Sequence, residues 1–159
     1  MKKLFLVAVC LMSGARLAQA APTAGEKAEG RAQVVVLTQL PCQFVESEGG
    51  TDRGYKSTKQ EDCERINAQS GAARVKSAKP LELKPGRYVF RVSNKSVPYE
   101  LGFWLRGAGI KGRVTLPRVS GGGLTQGTSK DYEIALTPGE YVYSCPLNTT
   151  PDYRLIVKN

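Results

Sequence analysis

The stretch Leu136-Thr137-Pro138-Gly139-Glu140-Tyr141-Val142-Tyr143-Ser144-Cys145 carries the strongest structural signal in the chain. Pro138-Gly139 is a turn: proline presets φ at one position and glycine accepts unusual backbone angles at the next. The run that follows alternates aromatic and β-branched residues, as a strand does. The same grammar occurs 53 residues earlier, as Leu83-Lys84-Pro85-Gly86-Arg87-Tyr88-Val89-Phe90. Leu, Pro, Gly, Tyr and Val coincide in the two copies. Two copies are too few for a solenoid. They read as two turn-into-strand units, one on each sheet of a sandwich, each with a tyrosine ring packed beside its turn.

Outward from these units the pattern stays β. Val34-Val35-Val36-Leu37 is a β-branched first strand, and Tyr88–Val92, Leu101–Leu105, Tyr132–Leu136, Tyr141–Cys145 and Tyr153–Val157 follow. Arg113–Leu116 completes a set of about seven short strands. Gly107–Gly112 and Ser120-Gly121-Gly122-Gly123 read as glycine-rich loops, since the triple glycine has neither the Lys-Ser/Thr nor the helix of a phosphate-binding loop. The expected fold is all-β, a Greek-key β-sandwich or barrel with little helix. Trp104, Phe103, Tyr88, Phe90, Tyr141, Tyr143 and Tyr153 are assigned to its core. The polar stretch 46–80 reads as a long loop insertion after the first strand, with one short helical turn over Gln60–Asn67.

The chain has 159 residues and a net charge of +9, with four cysteines and no histidine. The missing histidine removes His acid/base catalysis, Ser–His and Cys–His nucleophile pairs and imidazole metal sites. Glu133 and Glu140 form no evident carboxylate pair in a cleft. The expectation is a protein that is not an enzyme. The basic residues are scattered, so no nucleic-acid stripe is present. A mildly basic surface suits solvent, an acidic partner or an anionic envelope.

Residues 1–20 have the form of a secretory signal: Lys2-Lys3, the apolar run Leu4–Met12, and Ala18-Gln19-Ala20. The apolar run is too short for a membrane span, which takes roughly 20 residues. Cleavage before Ala21 removes Lys2, Lys3, Arg16, Cys10 and both methionines. It leaves 20 basic against 14 acidic residues, a charge of +6, and three cysteines. Residues 21–32 read as a mobile leader and 33–159 as the domain. Export implies a periplasmic or secreted protein in which disulfides form. A Cys42–Cys63 pair would hold the polar insertion, a closure worth about 3 kcal/mol. Cys145 is then left over. It is a buried hydrophobe, a soft metal ligand together with Cys42 or Cys63, or a thiol for redox or intermolecular pairing. The sequons Asn94-Lys95-Ser96 and Asn148-Thr149-Thr150 are taken as accidental.

Pro138–Pro146 resembles the end of a cupredoxin, where a "PG-x-Y-x-Y/F-x-C" strand leads to a metal-binding Cys followed by His and Met. Val92-Ser93-Asn94-Lys95-Ser96-Val97-Pro98-Tyr99-Glu100 is similar to that family's "V-x-N-x-S-x-x-P-H-E" segment. The resemblance covers 81–159 and the first strand. It implies the two-sheet fold, and a loop bearing Tyr99 and Glu100 that faces Cys145. The ligands depart from it: Tyr99 stands where the first His would be, and Pro146-Leu147-Asn148-Thr149-Thr150 contains neither His nor Met. Only Cys145 matches the blue copper set of two His, Cys and a weak axial ligand. The expectation is a domain with no copper cofactor that binds an envelope protein or small ligand through Tyr99, Glu100, Cys145 and Asn148. Two alternatives stand beside it: cysteine-dependent Cu(I) handling, and thiol redox at Cys145.

Overall fold

The computed structural model describes residues 31–159. The expected signal segment and most of the leader lie outside the described residues. Among the described residues nine strands form two sheets. One has the order β2(Gln43–Phe44), β1(Gln33–Leu40), β4(Gly86–Asn94), β7(Ser129–Leu136). The other has the order β3(Leu81–Leu83), β9(Tyr153–Val157), β8(Gly139–Ser144), β5(Leu101–Gly107), β6(Val119–Leu124). β1 pairs parallel to β4 and β3 parallel to β9, while the other neighbours are antiparallel. The inward residues of both sheets make one core, centred on Phe44, Phe90, Phe103, Tyr143 and Tyr153. Phe44 meets Phe103, Tyr143 and Tyr153 edge-on at centroid distances of 6.2, 5.7 and 6.0 Å, a favourable arrangement of ring quadrupoles.

The two turn-into-strand units lie one in each sheet, as β4 and β8. Tyr88 Oη donates to the Lys84 carbonyl at 2.9 Å, and Tyr141 Oη donates to the Thr137 carbonyl at 2.9 Å. Each tyrosine therefore ties its strand to the turn that precedes it. Gly86 and Gly139 adopt φ of 155° and 158°.

Four local expectations are corrected. The insertion contains an 18-residue helix, α1(Gln60–Ser77), rather than one helical turn. Its inner stripe is Cys63, Asn67, Gly71 and Arg74, so it packs without an apolar face. Arg113–Thr115 belongs to a second helix, α2(Gly109–Thr115), not a strand. The helix fits there because Gly107 allows backbone contact: a Cβ on Gly107 would sit 2.1 Å from the Gly112 carbonyl oxygen. Ser120–Gly123 is part of β6, held by pairing with β5. The strand needs glycine for a similar reason, since a Cβ on Gly102 would meet the Gly121 carbonyl at 2.6 Å. Trp104 lies on the outer face of β5, where the Arg106 guanidinium stacks over its ring at 3.8 Å.

Candidate functional site

β5 starts, and β1, β4 and β8 finish, at the same end of the sandwich, which brings Leu101, Gln39, Asn94 and Cys145 together. Cys145 is fully buried. Its Sγ accepts the backbone N–H of Gly102 at 3.4 Å and of Asn148 at 3.3 Å. The loop after it is tightly wound: the Cys145 N–H donates to Thr150 Oγ1 at 2.8 Å, and the Thr150 N–H donates to the Cys145 carbonyl at 3.1 Å. Burial pushes the Cys145 thiol above its ordinary pKa. Hydrogen bonds from the Gly102, Asn148 and Leu147 backbone and from Gln39 pull the other way and do not offset it. The resting group is a thiol, not an activated thiolate.

Two buried amides close the space around this sulfur. Asn148 Nδ2 donates to the Leu40 carbonyl at 2.8 Å and to Gln39 Oε1 at 3.3 Å, while Asn148 Oδ1 accepts the Cys42 N–H at 2.8 Å. Gln39 Nε2 donates to the Gly102 carbonyl at 2.9 Å. Asn94 works similarly one layer away. Its Nδ2 faces the carbonyls of Val97, Tyr99 and Leu124, and its Oδ1 accepts the Val97 N–H. The asparagines of both sequons are thus fully buried and hydrogen-bonded, which leaves neither open to glycosylation. The conformations here are unusual as well. Cys42 and Thr149 have φ of 65° and 42°, left-handed values that non-glycine residues seldom adopt.

Cys42 and Cys63 form a disulfide, with Cα atoms 4.9 Å apart. It fastens α1 over the Cys145 end. Asn148 Oδ1 lies 3.3 Å from Cys63 Sγ, so one amide touches both the disulfide and, through its backbone, the free thiol. Tyr99, half-buried, shares a 2.5 Å hydrogen bond with Ser57 and stands 3.7 Å from Cys63 Sγ. Burial raises the Tyr99 phenol pKa. Glu100 is exposed, and its Oε1 accepts the Gly123 N–H at 2.7 Å, pinning β6. Of the four residues expected to form a recognition patch, Cys145 and Asn148 lie inside, Tyr99 at the rim and Glu100 at the surface.

A second fastening of α1 has no sequence signal. Arg74 Nη2 donates to Glu48 Oε1 at 2.5 Å and to the Cys42 carbonyl at 2.9 Å; Tyr153 Oη donates to the same Glu48 oxygen at 2.5 Å. Arg53 also binds Glu48 and Asn67 also binds Arg74. The Glu48 and Arg74 side chains are 1% and 3% exposed. Burial alone would raise the Glu48 carboxyl, but Arg74, Tyr153 and Arg53 outweigh it and hold the group below its ordinary pKa. Between α1 and Thr149–Asp152 lies an open groove of about 520 Å³ with Ala68, Gly71, Ala72, Val75 and Pro151 along it.

The donor set does not suit a blue copper ion. Among the described residues no group of three or more His, Cys, Asp or Glu lies together. Cys42 and Cys63 are bonded to each other, so neither is a thiolate partner for Cys145. The groups around Cys145 Sγ are amides that already bond one another. Among the described residues no helix is long and apolar enough to cross a membrane.

No family model matches the chain, and no curated protein matches it. Among solved structures it is similar to auracyanin B, at 13% identity and a TM-score of 0.49, over 80% of this chain and 90% of that one. It is similar to Lac15 from a marine microbial metagenome, at 14% identity and a TM-score of 0.41, and to a multi-copper oxidase from Pediococcus acidilactici, at 10% and 0.43. The alignments take in 92% and 89% of this chain, which spans 32% and 29% of those two proteins.

Proposed function

We propose that this is an exported, cupredoxin-like binding module with no blue copper centre. It contacts an envelope protein or small ligand through the end of the sandwich that holds Cys145. The observation that carries this reading is the amide closure of Cys145. Asn148 and Gln39 are spent on backbone and on each other, the thiol has no imidazole beside it, and burial keeps it protonated. A catalytic thiol needs exposure and a lowered pKa, so the geometry favours neither thiol redox nor Cu(I) handling. The binding role is supported by what this end presents outward: Glu100, Leu147 and the apolar groove beneath α1. Clefts lined by apolar side chains with a few polar groups are the usual ligand sites.

The test uses an apolar anilinonaphthalene dye as groove probe, together with thiol counting. Dye fluorescence is expected to rise on the native protein and to fall for Ala72→Glu, which places a carboxylate on the groove wall. In protein that begins at Ala21, and so lacks Cys10, the denatured, unreduced chain should yield one reactive thiol and the native chain none. Dye binding indifferent to Ala72→Glu would overturn the groove assignment. A native thiol that reacts freely would overturn the closed site.

A further inference from the structure

α2 sits at the other end of β5, away from Cys145. Its inner side is fixed by backbone contact between Gly107 and Gly112 and by Leu116, whose Cδ1 lies 2.8 Å from where a Cβ on Gly139 would be. That anchoring leaves an outer side with unusual content. Ile110 is 87% and Val114 82% exposed, more than any other large hydrophobic among the described residues. Spaced i and i+4, they lie side by side on one helical face. Single exposed hydrophobics are ordinary; an exposed pair on one face is less so.

Within the segment around the pair the charge is one-sided, and the nearby Glu140 of β8, which lines the groove beside α2 with Lys111, faces Arg154 at 3.8 Å. From Arg106 to Arg118 the chain carries Arg106, Lys111, Arg113 and Arg118 and no acidic residue. Arg106 is buried and paired with Asp152. Lys111, Arg113 and Arg118 are exposed, and none of them forms an ion pair among the described residues. Two apolar side chains flanked by unpaired cations match the requirements of an anionic bilayer surface. There, apolar groups enter the headgroup–acyl boundary while Lys and Arg meet the phosphates. A protein partner fits less well. Stable interfaces cover about 800 Å² on each side, and two side chains on a seven-residue helix supply a small fraction of that.

We propose that α2 is a membrane-surface contact. Ile110 and Val114 insert into the interface of an anionic phospholipid bilayer, and Lys111, Arg113 and Arg118 bind its headgroups. The contact is weak and reversible, and it orients the Cys145 end away from the membrane.

The experiment is sedimentation of the purified chain with phosphatidylglycerol vesicles and with phosphatidylcholine vesicles. Each variant is compared with a parent protein that has the same N-terminus. Binding is expected to the anionic vesicles and to weaken as salt is added. The I110S/V114S double variant should bind about tenfold more weakly or less. Each of K111Q, R113Q and R118Q should cost roughly fivefold. A site-specific readout excludes binding through the N-terminal apolar run: an environment-sensitive fluorophore on I110C, in a chain that also carries C10S, should shift to the blue only with anionic vesicles, and the buried Cys145 does not take the label. Absence of sedimentation overturns the proposal. So does binding that I110S/V114S leaves unchanged, which would be adsorption by charge alone, or a label at position 110 that stays in water.

Discussion

At the Cys145 end, polar groups are drawn inward. The side chains of Asn148, Gln39, Asn94, Glu48 and Arg74 are buried, and each is hydrogen-bonded to backbone or to another of the set. At the α2 end the arrangement is reversed: backbone meets backbone through glycines, while Ile110, Val114 and three cations face solvent. Both ends hang on the same β5–β8 ladder, so the sheet does not dictate the contrast. Loop composition does. A helix whose inner stripe is Cys63, Asn67, Gly71 and Arg74 must bond its way onto the sandwich. A helix that enters through Gly107 and Gly112 needs only close approach.

The contrast can be broken most forcefully at Glu48. Removing one partner of a buried pair strands the other, at a typical cost of about 3–5 kcal/mol. Glu48→Gln should therefore lower the midpoint of denaturant unfolding more than either Cys63→Ser or Gly107→Ala. Opening the disulfide with Cys63→Ser should cost about 3 kcal/mol, given the 21-residue separation. Gly107→Ala attacks the other end by overpacking, at about 1–3 kcal/mol, and should release α2 while leaving the Cys145 thiol unreactive.

A pH titration sharpens the same comparison. The Glu48 carboxyl is held below its ordinary value of 4.5 in the fold: burial pushes it up, but Arg74, Tyr153 and Arg53 pull it further down. Its contribution is present in full above that value. It is lost as pH falls through the lowered folded pKa, because the unfolded chain binds the proton first. Acid unfolding of the parent should show this loss, and Glu48→Gln should flatten it. If both titrate alike, the buried pair does not hold α1. The smallest effect is expected for I110S/V114S, within about 0.5 kcal/mol of the parent in stability, since both side chains already stand in water.

The sandwich is legible in the sequence because its signals are local. The two Leu-x-Pro-Gly-x-Tyr-Val units encode turn, strand and tyrosine anchor within a few residues, and the strands alternate with period two. α1 is not legible beyond one turn, because helices are recognised by an apolar stripe and this one substitutes a half-cystine, an amide, a glycine and a buried cation. α2 and β6 are hidden for a related reason. Glycines that signal loops in sequence serve in the fold as contact points between backbones, at Gly107 with Gly112 and Gly102 with Gly121. At the site, the disulfide and the lone Cys145 follow from cysteine counting in a chain whose first 20 residues read as an export signal. Gln39 and the Glu48–Arg74–Tyr153 cluster have no signal, since their partners lie far along the chain and only the fold brings them together.

Copper loading followed by visible absorption tests most directly whether the Cys145 end is a closed amide core rather than a metal cage. The protein should remain colourless, with the same copper content in the parent and in Cys145→Ala. An intense visible charge-transfer band, or stoichiometric copper that disappears with Cys145→Ala, would contradict it.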